Sequence, residues 1–383
     1  MVDCWDYASL GANWGNPDDA DYEENCAGQK QSPINIAWED IYEDLDNYND
    51  SNDDYDNPFV YDLAPLHVSC GILSGKFRNT GHNLQFVAAD GNPIVTDSDF
   101  LSGGPLGSSK YFFWQLHLHW GSSHCEGSEH LVNGQRFPAE LQLVHVREDF
   151  ISGNGTVDPS VYEAEDGLAV LAVFLIKGPE DAAWFDAISD AAQEISDSEK
   201  SETDSVLNLH QMLQIINPTF QAEFNYWFYS GSLTTPQCNE AVTWLIAERP
   251  LEISEDQLSK LFDLTQNEDS ATPITNNYRV DQKLNGRIVY VVGLNIETEF
   301  NYDGPSCNCN LLGTSFDCSC EDGQCHCDTA NGYTGRQCDE CIDGYFVTFV
   351  SDQRITFTTN YGAICNGNSN ISLRLLKNAF IVA

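Results

Sequence analysis

Two histidines in the stretch Gln-Leu-His-Leu-His-Trp-Gly, residues 115–121, have the spacing of metal ligands on a β-strand. His117 and His119 are separated by one residue, and alternate side chains of a strand project from the same face. Two imidazoles on one face can bind a single zinc ion, although the same spacing also fits a plain polar face. Gln115 lies on that face as well, where it can accept a hydrogen bond from His117 and fix the tautomer of that ligand.

A second strand-like run, Ala-Glu-Leu-Gln-Leu-Val-His at 139–145, presents another pair of polar side chains on one face. Glu140 and Gln142 form this pair. The amide oxygen of Gln142 can bind a metal while its NH2 group donates to Glu140. An amide oxygen is a poorer zinc ligand than imidazole. His145 falls three residues after Gln142, so strand alternation turns it to the opposite face.

Short strands are predicted to position these side chains. From 59 to 146, short apolar or alternating runs are separated by Gly, Asn and Pro, which indicates a β-rich region. The unbroken apolar run from Gly167 to Ile176 is short enough for a buried central strand. Helix-like composition is found at 180–199 and at 254–262. These elements predict a mainly β, α+β domain with a twisted mixed sheet and peripheral helices.

The strand motifs together resemble the metal-site region of an α-class carbonic anhydrase. The resemblance covers roughly residues 1–290 and implies a central twisted, mostly antiparallel ten-stranded sheet with the metal at the base of a cone. It implies that His117 and His119 are zinc ligands, and that Gln142 occupies the third ligand position, where the family has histidine. His145 matches a histidine of the family that is not a ligand. Three further residues match positions that support the ligands: Gln115, Glu140 and Asn277.

The resemblance also implies a catalytic pocket around this position. Glu129 and Thr234 match a pair in which the carboxylate accepts the proton of the threonine hydroxyl and the hydroxyl orients the reacting oxygen. Thr235 lies beside them in Gly-Ser-Leu-Thr-Thr-Pro. His82 matches the histidine that carries protons to solvent, and Tyr7 the tyrosine near its water chain. Five residues match the apolar wall that receives carbon dioxide: Val144, Val170, Leu233, Val242 and Trp244.

The last part of the chain has a different composition. Nine of the fourteen cysteines fall between 307 and 365, where apolar residues are too few to build a core without disulfides. Their order, with Gly-Arg-Gln-Cys-Asp-Glu-Cys and Asp-Gly-Tyr, resembles a laminin-type EGF-like module, and this context favours disulfides over zinc binding. The predicted domains are therefore a carbonic-anhydrase-like domain at 1–290, a linker at 291–306, the module at 307–365 and a tail at 366–383.

The cysteine content favours an oxidising compartment. The resemblance to extracellular carbonic anhydrases implies a bridge between Cys26 and Cys238. The EGF-like pattern implies four more bridges: Cys307 with Cys318, Cys309 with Cys325, Cys327 with Cys338, and Cys341 with Cys365. Four cysteines are left without an assigned partner: Cys4, Cys70, Cys125 and Cys320.

Acidic residues outnumber basic residues by 59 to 17, which gives a net charge of -42. Such a surface repels nucleic acid and anionic membranes, and it suits calcium, cationic partners or concentrated salt. The acidic run at 39–57 is predicted to be an exposed loop, either a solvated insertion or a calcium-binding surface without EF-hand spacing. No apolar span of about 20 residues is present, so no membrane crossing is expected. Sequons at Asn49, Asn154 and Asn370 fit the surface of a secreted protein.

Two functions follow from these features. The first is a secreted carbonic-anhydrase-related protein that acts as a structural or interaction component, with weak or no hydration of carbon dioxide because of Gln142. Catalytically silent carbonic-anhydrase-related proteins and receptor phosphatase ectodomains have glutamine there, and their sequences are similar to residues 128–135. The second is an active zinc carbonic anhydrase that uses a His-His-Gln site to interconvert carbon dioxide and bicarbonate, held in an extracellular assembly by its module. Extracellular protein partners, bound through the module or the acidic surface, are expected for the first function.

Overall fold

The structure is a computed structural model that describes residues 5–18, 22–37, 66–68, 71–97, 99–123, 126–196, 201–216, 225–266 and 272–292, and four short strands between 333 and 366. The chain divides into two compact units, Met1–Asn295 and Ile296–Ala383. The acidic run at 39–57 lies outside the described residues, as do Cys4, Cys70, Cys125 and Cys320. Calcium binding by that run therefore stays a prediction.

The described residues of the first unit form fourteen strands and a few helices. The strands are β1 Asn35–Ile36, β2 His67–Val68, β3 Ile72–Asn79, β4 Leu84–Ala88, β5 Leu101–Ser102, β6 Tyr111–Trp120, β7 Leu131–Val132, β8 Ala139–Arg147, β9 Leu168–Gly178, β10 Glu202–Asn208, β11 Tyr226–Gly231, β12 Val242–Ala247, β13 Leu251–Ser254 and β14 Tyr290–Val292. The described α-helices are α1 Asp186–Ser196, α2 Leu209–Ile216 and α3 Glu255–Phe262. Short 3₁₀ helices occur at Glu24–Ala27, Gly104–Leu106, Glu148–Phe150 and Pro159–Glu163.

Twelve of these strands form one mixed sheet. Its order is β10-β3-β4-β6-β8-β9-β12-β11-β14, with β13 beside β9, β5 beside β6 and β2 beside β5. Within this sheet β9 pairs in parallel with β12 and β13, whereas the other described pairs are antiparallel. The expectation of a mainly β fold with a mostly antiparallel sheet is confirmed. The sheet has twelve strands instead of ten, because the two-residue strands β2 and β5 extend its margin.

The middle of the sheet is the most deeply buried part of the unit. β9 lies between β8 and β12, and all of its side chains from Leu168 to Leu175 are buried. This strand corresponds to the apolar run at 167–176, and burial on both faces explains why that run does not alternate with polar residues. The central strands therefore place any site on their surface against a fully buried core.

The helices pack at the side of the sheet. α1 contacts α3, β10 and β3, and it buries the apolar residues that recur on one of its faces, including Ile188, Ala192 and Ile195. The helix expected at 180–199 begins only at Asp186, because the backbone of Ala182 is hydrogen-bonded at both its N–H and its C=O to the side chain of Gln257. The helix predicted at 254–262 is present as α3, with Ser254 as its N-cap in a capping box.

The second unit is described only through four short strands. β15 Tyr333–Thr334 pairs with β16 Glu340–Cys341, and β17 Phe346–Thr348 pairs with β18 Ile364–Asn366, both antiparallel. The side chains of this unit, including the eight cysteines of the expected bridges, lie outside the description. Those four disulfides stay predictions. In the part of the chain that the structure describes, no helix is long and apolar enough to cross a bilayer.

Candidate metal centre

The pairing of β6 with β8 brings four polar side chains together inside the sheet. His117 lies opposite Gln142, and His119 lies opposite Glu140. All four are buried, His119 and Glu140 completely so. The register shifts between Phe113 and Gln115, as at a β-bulge, and from Gln115 onward the strand alternates regularly. Gln115, His117 and His119 therefore share one face, as their spacing predicts.

Each histidine is held through its Nδ1 atom. Nδ1 of His117 is 2.9 Å from Oε1 of Gln115, and Nδ1 of His119 is 2.6 Å from the carbonyl oxygen of Asn277. Both partners are acceptors, so Nδ1 carries the hydrogen and Nε2 keeps a lone pair. Nε2 of His119 is buried without a hydrogen-bond partner among the described residues. Burial, reinforced by the neighbouring His119, lowers the pKa of His117 to about 3, so its ring is neutral at physiological pH.

The side chain of Gln142 is oriented by two carboxylates. Its Nε2 atom donates to Oε2 of Glu129 and to Oε1 of Glu140, each at 3.0 Å. A carboxylate accepts but cannot donate, so the amide must turn its NH2 group toward these residues. Gln142 also opposes the fall in the pKa of His117, because its amide oxygen favours the protonated form of the ring. The amide oxygen of Gln142 is therefore on the side of the histidines.

The partners of Glu129 differ from the expected ones. Its Oε1 atom accepts from the backbone N–H of Arg279 at 2.9 Å, and its Oε2 atom accepts from Gln142 and lies 3.4 Å from Nε2 of His119. The hydrogen bond expected between Glu129 and Thr234 is not among the hydrogen bonds of the described residues. In place of Thr234, the NH2 group of Gln142 is the side-chain donor that reaches Glu129. Thr234 is buried and Thr235 is half-buried in the loop after β11.

Apolar residues of three neighbouring strands lie beside this site. Val144 on β8 is opposite Val170 on β9, and Val170 is opposite Trp244 on β12. Val242 precedes Trp244 by two residues and so shares its face. Val144 follows Gln142 by two residues, which puts the row on the same face as the glutamine. All four apolar side chains are buried, whereas Leu233 is half-buried.

His82 lies in the turn between β3 and β4 and is half-buried. Its ring stacks on Trp5, with the ring centroids 4.0 Å apart and the planes 12° from parallel. The ring of Tyr7 lies 6.5 Å from that of His82. Burial, followed by the charge of Glu129, raises the pKa of Tyr7 well above its usual value, so its hydroxyl stays protonated. Sequence reasoning missed Trp5, since an isolated tryptophan near the start of the chain gives no signal of a stacking partner.

A buried network behind the site was also missed. Oε1 of Glu140 is 2.8 Å from Nδ1 of His130, and Nε2 of His130 is 2.7 Å from the hydroxyl of Tyr229, which donates to Oγ of Ser32 at 2.8 Å. Burial alone would raise the pKa of Glu140, but His130 lowers it to about 2. Glu140 is therefore an ionised anchor for Gln142. His130 follows Glu129 directly, which is the one sequence signal that could have pointed to it.

The threonine loop is closed by a disulfide. Cys26 and Cys238 are bonded, as the resemblance to extracellular carbonic anhydrases implies. The backbone N–H of Cys238 donates to the carbonyl oxygen of Thr235 at 2.8 Å, so the bridge ends directly at the loop. His145 lies elsewhere, with Nδ1 at 3.0 Å from the carbonyl oxygen of Leu143 and its ring edge-on to Phe113.

The mixed sheet, the paired histidines on its central strands and the adjoining apolar row define a protein of the α-carbonic-anhydrase fold. Residues 11–293 match the family model described as eukaryotic-type carbonic anhydrase, and the chain belongs to that family. Residues 307–353 match the laminin EGF domain. The protein is thus a carbonic-anhydrase-family domain followed by a laminin-type EGF domain.

The relatives that it resembles are carbonic anhydrases. It is 35% identical over 265 residues to carbonic anhydrase 7 of Mus musculus, covering 68% of this chain and 88% of that protein. It is 32% identical over 268 residues to carbonic anhydrase 3 of Homo sapiens, covering 69% and 90%. It is 35% identical over 268 residues to mitochondrial carbonic anhydrase 5A of Rattus norvegicus, covering 68% and 76%.

The donor atoms of the centre are of the types that bind zinc in proteins. Two imidazole nitrogens, Nε2 of His117 and of His119, and the amide oxygen of Gln142 are the available donors, and Nε2 of His119 has no hydrogen-bond partner among the described residues. The described residues contain no group of three or more His, Cys, Asp and Glu side chains placed to hold a metal. Any metal at this centre therefore depends on the glutamine as its third protein ligand.

Proposed function

We propose that this protein is a secreted carbonic-anhydrase-related protein with weak or no carbon dioxide hydratase activity, acting as a structural or interaction component outside the cell. One observation supports the loss of activity more than any other. Gln142 occupies the position of the third imidazole, and its NH2 group donates hydrogen bonds to Glu129 and Glu140. An amide oxygen gives zinc less affinity than imidazole, so the centre should be poorly loaded at ordinary zinc concentrations.

The hydrogen bond from Gln142 to Glu129 has a second consequence for catalysis. In the resemblance to active carbonic anhydrases, Glu129 accepts the proton of Thr234, so that the hydroxyl can only accept from the reacting oxygen. In this chain the carboxylate of Glu129 accepts from Gln142 and from the backbone of Arg279, and no hydrogen bond from Thr234 to Glu129 is present among the described residues. The Thr234 hydroxyl is then not oriented by the carboxylate. One substitution therefore weakens both metal binding and the alignment of the nucleophile.

The extracellular role is inferred from the rest of the chain. Laminin-type EGF domains and the Cys26–Cys238 disulfide are typical of an oxidising, extracellular setting. The net charge of -42 favours cationic partners, including basic proteins and calcium, and disfavours nucleic acid and anionic membranes. The partner is expected to bind the EGF domain or the acidic surface.

A second candidate function is an active zinc carbonic anhydrase with a His-His-Gln centre. It is favoured by the orientation of Gln142, whose oxygen lies on the side of the histidines, and by Nε2 of His119, which has no hydrogen-bond partner among the described residues. Zinc bound there would lower the pKa of water to about 7 and supply a nucleophile at neutral pH. Val144, Val170 and Trp244 would hold carbon dioxide away from water beside Gln142, and His82 would exchange protons with solvent.

The two candidates are separated by measurements on the full-length protein purified from a eukaryotic secretion medium. Its zinc content is determined after dialysis against buffered zinc, and carbon dioxide hydration is followed by stopped flow with and without a sulfonamide inhibitor. We expect substoichiometric zinc and no inhibitable rate above the buffer. Stoichiometric zinc with an inhibitable rate would overturn the proposal in favour of the second candidate, and failure to reach the medium would overturn the extracellular part.

A further inference from the structure

The last three residues of strand β6 are paired with a strand on one side only. β4 pairs with β6 only at residues 115–117, whereas β8 accompanies β6 as far as Trp120. Among the described residues, the edge formed by Leu118, His119 and Trp120 has no strand beside it on the β4 side. This edge carries the metal-ligand candidate His119, so its position has to be fixed by other means.

Asn277 takes the place of the missing strand. Its backbone N–H donates to the carbonyl oxygen of Trp120 at 3.2 Å, and its Oδ1 atom accepts from the backbone N–H of Trp120 at 2.6 Å. Its Nδ2 atom donates to the carbonyl oxygen of Leu118 at 3.2 Å. These contacts imitate a strand ladder on both sides of His119. The carbonyl oxygen of Asn277 completes the set by accepting from Nδ1 of His119 at 2.6 Å.

The same amide also reaches the turn that carries His82. Nδ2 of Asn277 donates to the carbonyl oxygen of His82 at 2.9 Å. Asn277 is fully buried, so these bonds do not compete with water. One NH2 group thus joins the free edge of β6 to the turn between β3 and β4.

We propose that the side chain of Asn277 is a positioning residue that couples the metal-ligand strand to the His82 turn, so that order at one is transmitted to the other. The inference rests on the proposed metal centre for its consequence, but the coupling itself is a property of the protein with or without hydratase activity. Binding of zinc by His119 reduces the motion of residues 118–120 of β6, and the hydrogen bonds of Asn277 then reduce the motion of the turn as well. Loss of the Asn277 side chain makes both segments more mobile.

The turn offers a matched control on its other side. Asn79 donates from Nδ2 to the carbonyl oxygen of Thr265 at 2.8 Å and accepts from the backbone N–H of Gly81 at 2.8 Å. It therefore restrains the same turn through β3, and none of these bonds reaches β6. Asn79→Ala and Asn277→Ala remove the same group from the two sides of one turn.

The test uses hydrogen exchange and zinc affinity in the full-length chain, both as it is and with Gln142→His, which supplies a third imidazole. In the metal-free proteins, we expect both alanine variants to speed amide exchange at residues 81–83. In the Gln142→His chain, Asn277→Ala should lower zinc affinity by about tenfold or more, because the side-chain bonds that fix Leu118 and Trp120 on either side of His119 are lost. Asn79→Ala should leave zinc affinity within about twofold.

Two results would overturn the coupling. One is unchanged exchange at 81–83 in Asn277→Ala, and the other is an equal loss of zinc affinity in both alanine variants. A second measurement needs no change at Asn277. Because coupling is reciprocal, zinc added to the Gln142→His chain should slow exchange at 81–83, and the absence of any protection there contradicts the proposal. Zinc binding by the unsubstituted chain, measured in parallel, tests the proposed function separately.

Discussion

Nε2 of Gln142 donates a 3.0 Å hydrogen bond to Oε2 of Glu129, a carboxylate that the resemblance to carbonic anhydrases pairs with Thr234. The other N–H of the same amide goes to Glu140. A single residue therefore links two fully buried carboxylates and stands in the third ligand position at the same time. The effects of these two hydrogen bonds on the free energy of unfolding and on zinc binding can be measured directly.

Replacing Gln142 with glutamate keeps its shape but removes both N–H donors and puts a third carboxyl group beside Glu129 and Glu140. We expect Gln142→Glu to lower the free energy of unfolding of the metal-free protein by about 3 to 5 kcal/mol, because buried charge is left without a partner. Urea unfolding measures the change. Gln85→Glu is the control on β4, which lies on the other side of β6 from β8, since Oε1 of Gln85 accepts from Arg78 and glutamate keeps that acceptor. Equal effects of the two substitutions would contradict the double hydrogen bond of Gln142.

Removing the hydroxyl of Tyr229 should weaken the support behind Glu140. That hydroxyl contacts Nε2 of His130 at 2.7 Å and Oγ of Ser32 at 2.8 Å, all in the buried interior. Tyr229→Phe leaves Nε2 of His130 unsatisfied, whereas Oγ of Ser32 still accepts from the backbone N–H of Ser232 at 3.0 Å. We therefore expect a loss of about 2 kcal/mol in the free energy of unfolding. Tyr111→Phe removes a hydroxyl that donates to the carbonyl oxygen of Asp166 and contacts the partly exposed Arg147, and it should cost about 1 kcal/mol. A smaller loss for Tyr229→Phe than for Tyr111→Phe would show that the network is not formed.

The stability of the metal-free protein should fall as the pH is lowered from 6.5 to 4. Burial lowers the pKa of His145 to about 4 and that of His117 to about 3, whereas an unfolded histidine titrates near 6.5. The unfolded chain therefore binds more protons in this range, and acid favours unfolding by about 1 to 3 kcal/mol for each histidine. Urea midpoints at a series of pH values measure the slope. His145→Gln, which cannot titrate, should flatten it, and an unchanged slope would contradict the burial of a neutral His145.

Asn154 should carry a glycan when the protein passes through a eukaryotic secretory pathway. It begins the sequon Asn-Gly-Thr in an exposed turn between the bridged residues Ile151 and Val157. The hydroxyl of Thr156 donates to Oδ1 of Asn154 at 2.9 Å. Mass spectrometry before and after glycosidase treatment checks the site, with Asn154→Gln as the control. Secreted protein with unmodified Asn154 would contradict the expectation.

Parts of the fold and the site could be predicted because they depend on local pattern. The apolar run at 167–176 contains most of the buried β9, and the spacing of His117 and His119 puts both rings on one face. The hydrogen bond from Gln142 to Glu140 also follows from two residues on one face of one strand.

Other features depend on contacts between distant segments, and sequence pattern does not contain them. The irregularity at Trp114 exists only because β8 fixes the register of β6. Tyr229 reaches His130 across 99 residues, and no motif joins the two. Whether Glu129 accepts from Gln142 on β8 or from Thr234 in the loop after β11 depends on which of the two donors the folded chain brings nearer. Tertiary packing determines these hydrogen-bond partners and this strand register, and local sequence pattern does not.

The central claim is that Gln142 alone weakens the hydratase, and its most direct test is Gln142→His in the full-length protein. Stopped-flow carbon dioxide hydration is measured with zinc content for the unsubstituted protein, Gln142→His and, as a control that adds no ligand, Gln142→Ala. The account predicts stoichiometric zinc and a rise in kcat/KM of at least about 100-fold, or ~2.7 kcal/mol, in Gln142→His, with no gain in Gln142→Ala. Full, inhibitable activity in the unsubstituted protein, or a zinc-loaded Gln142→His that stays inactive, would contradict it.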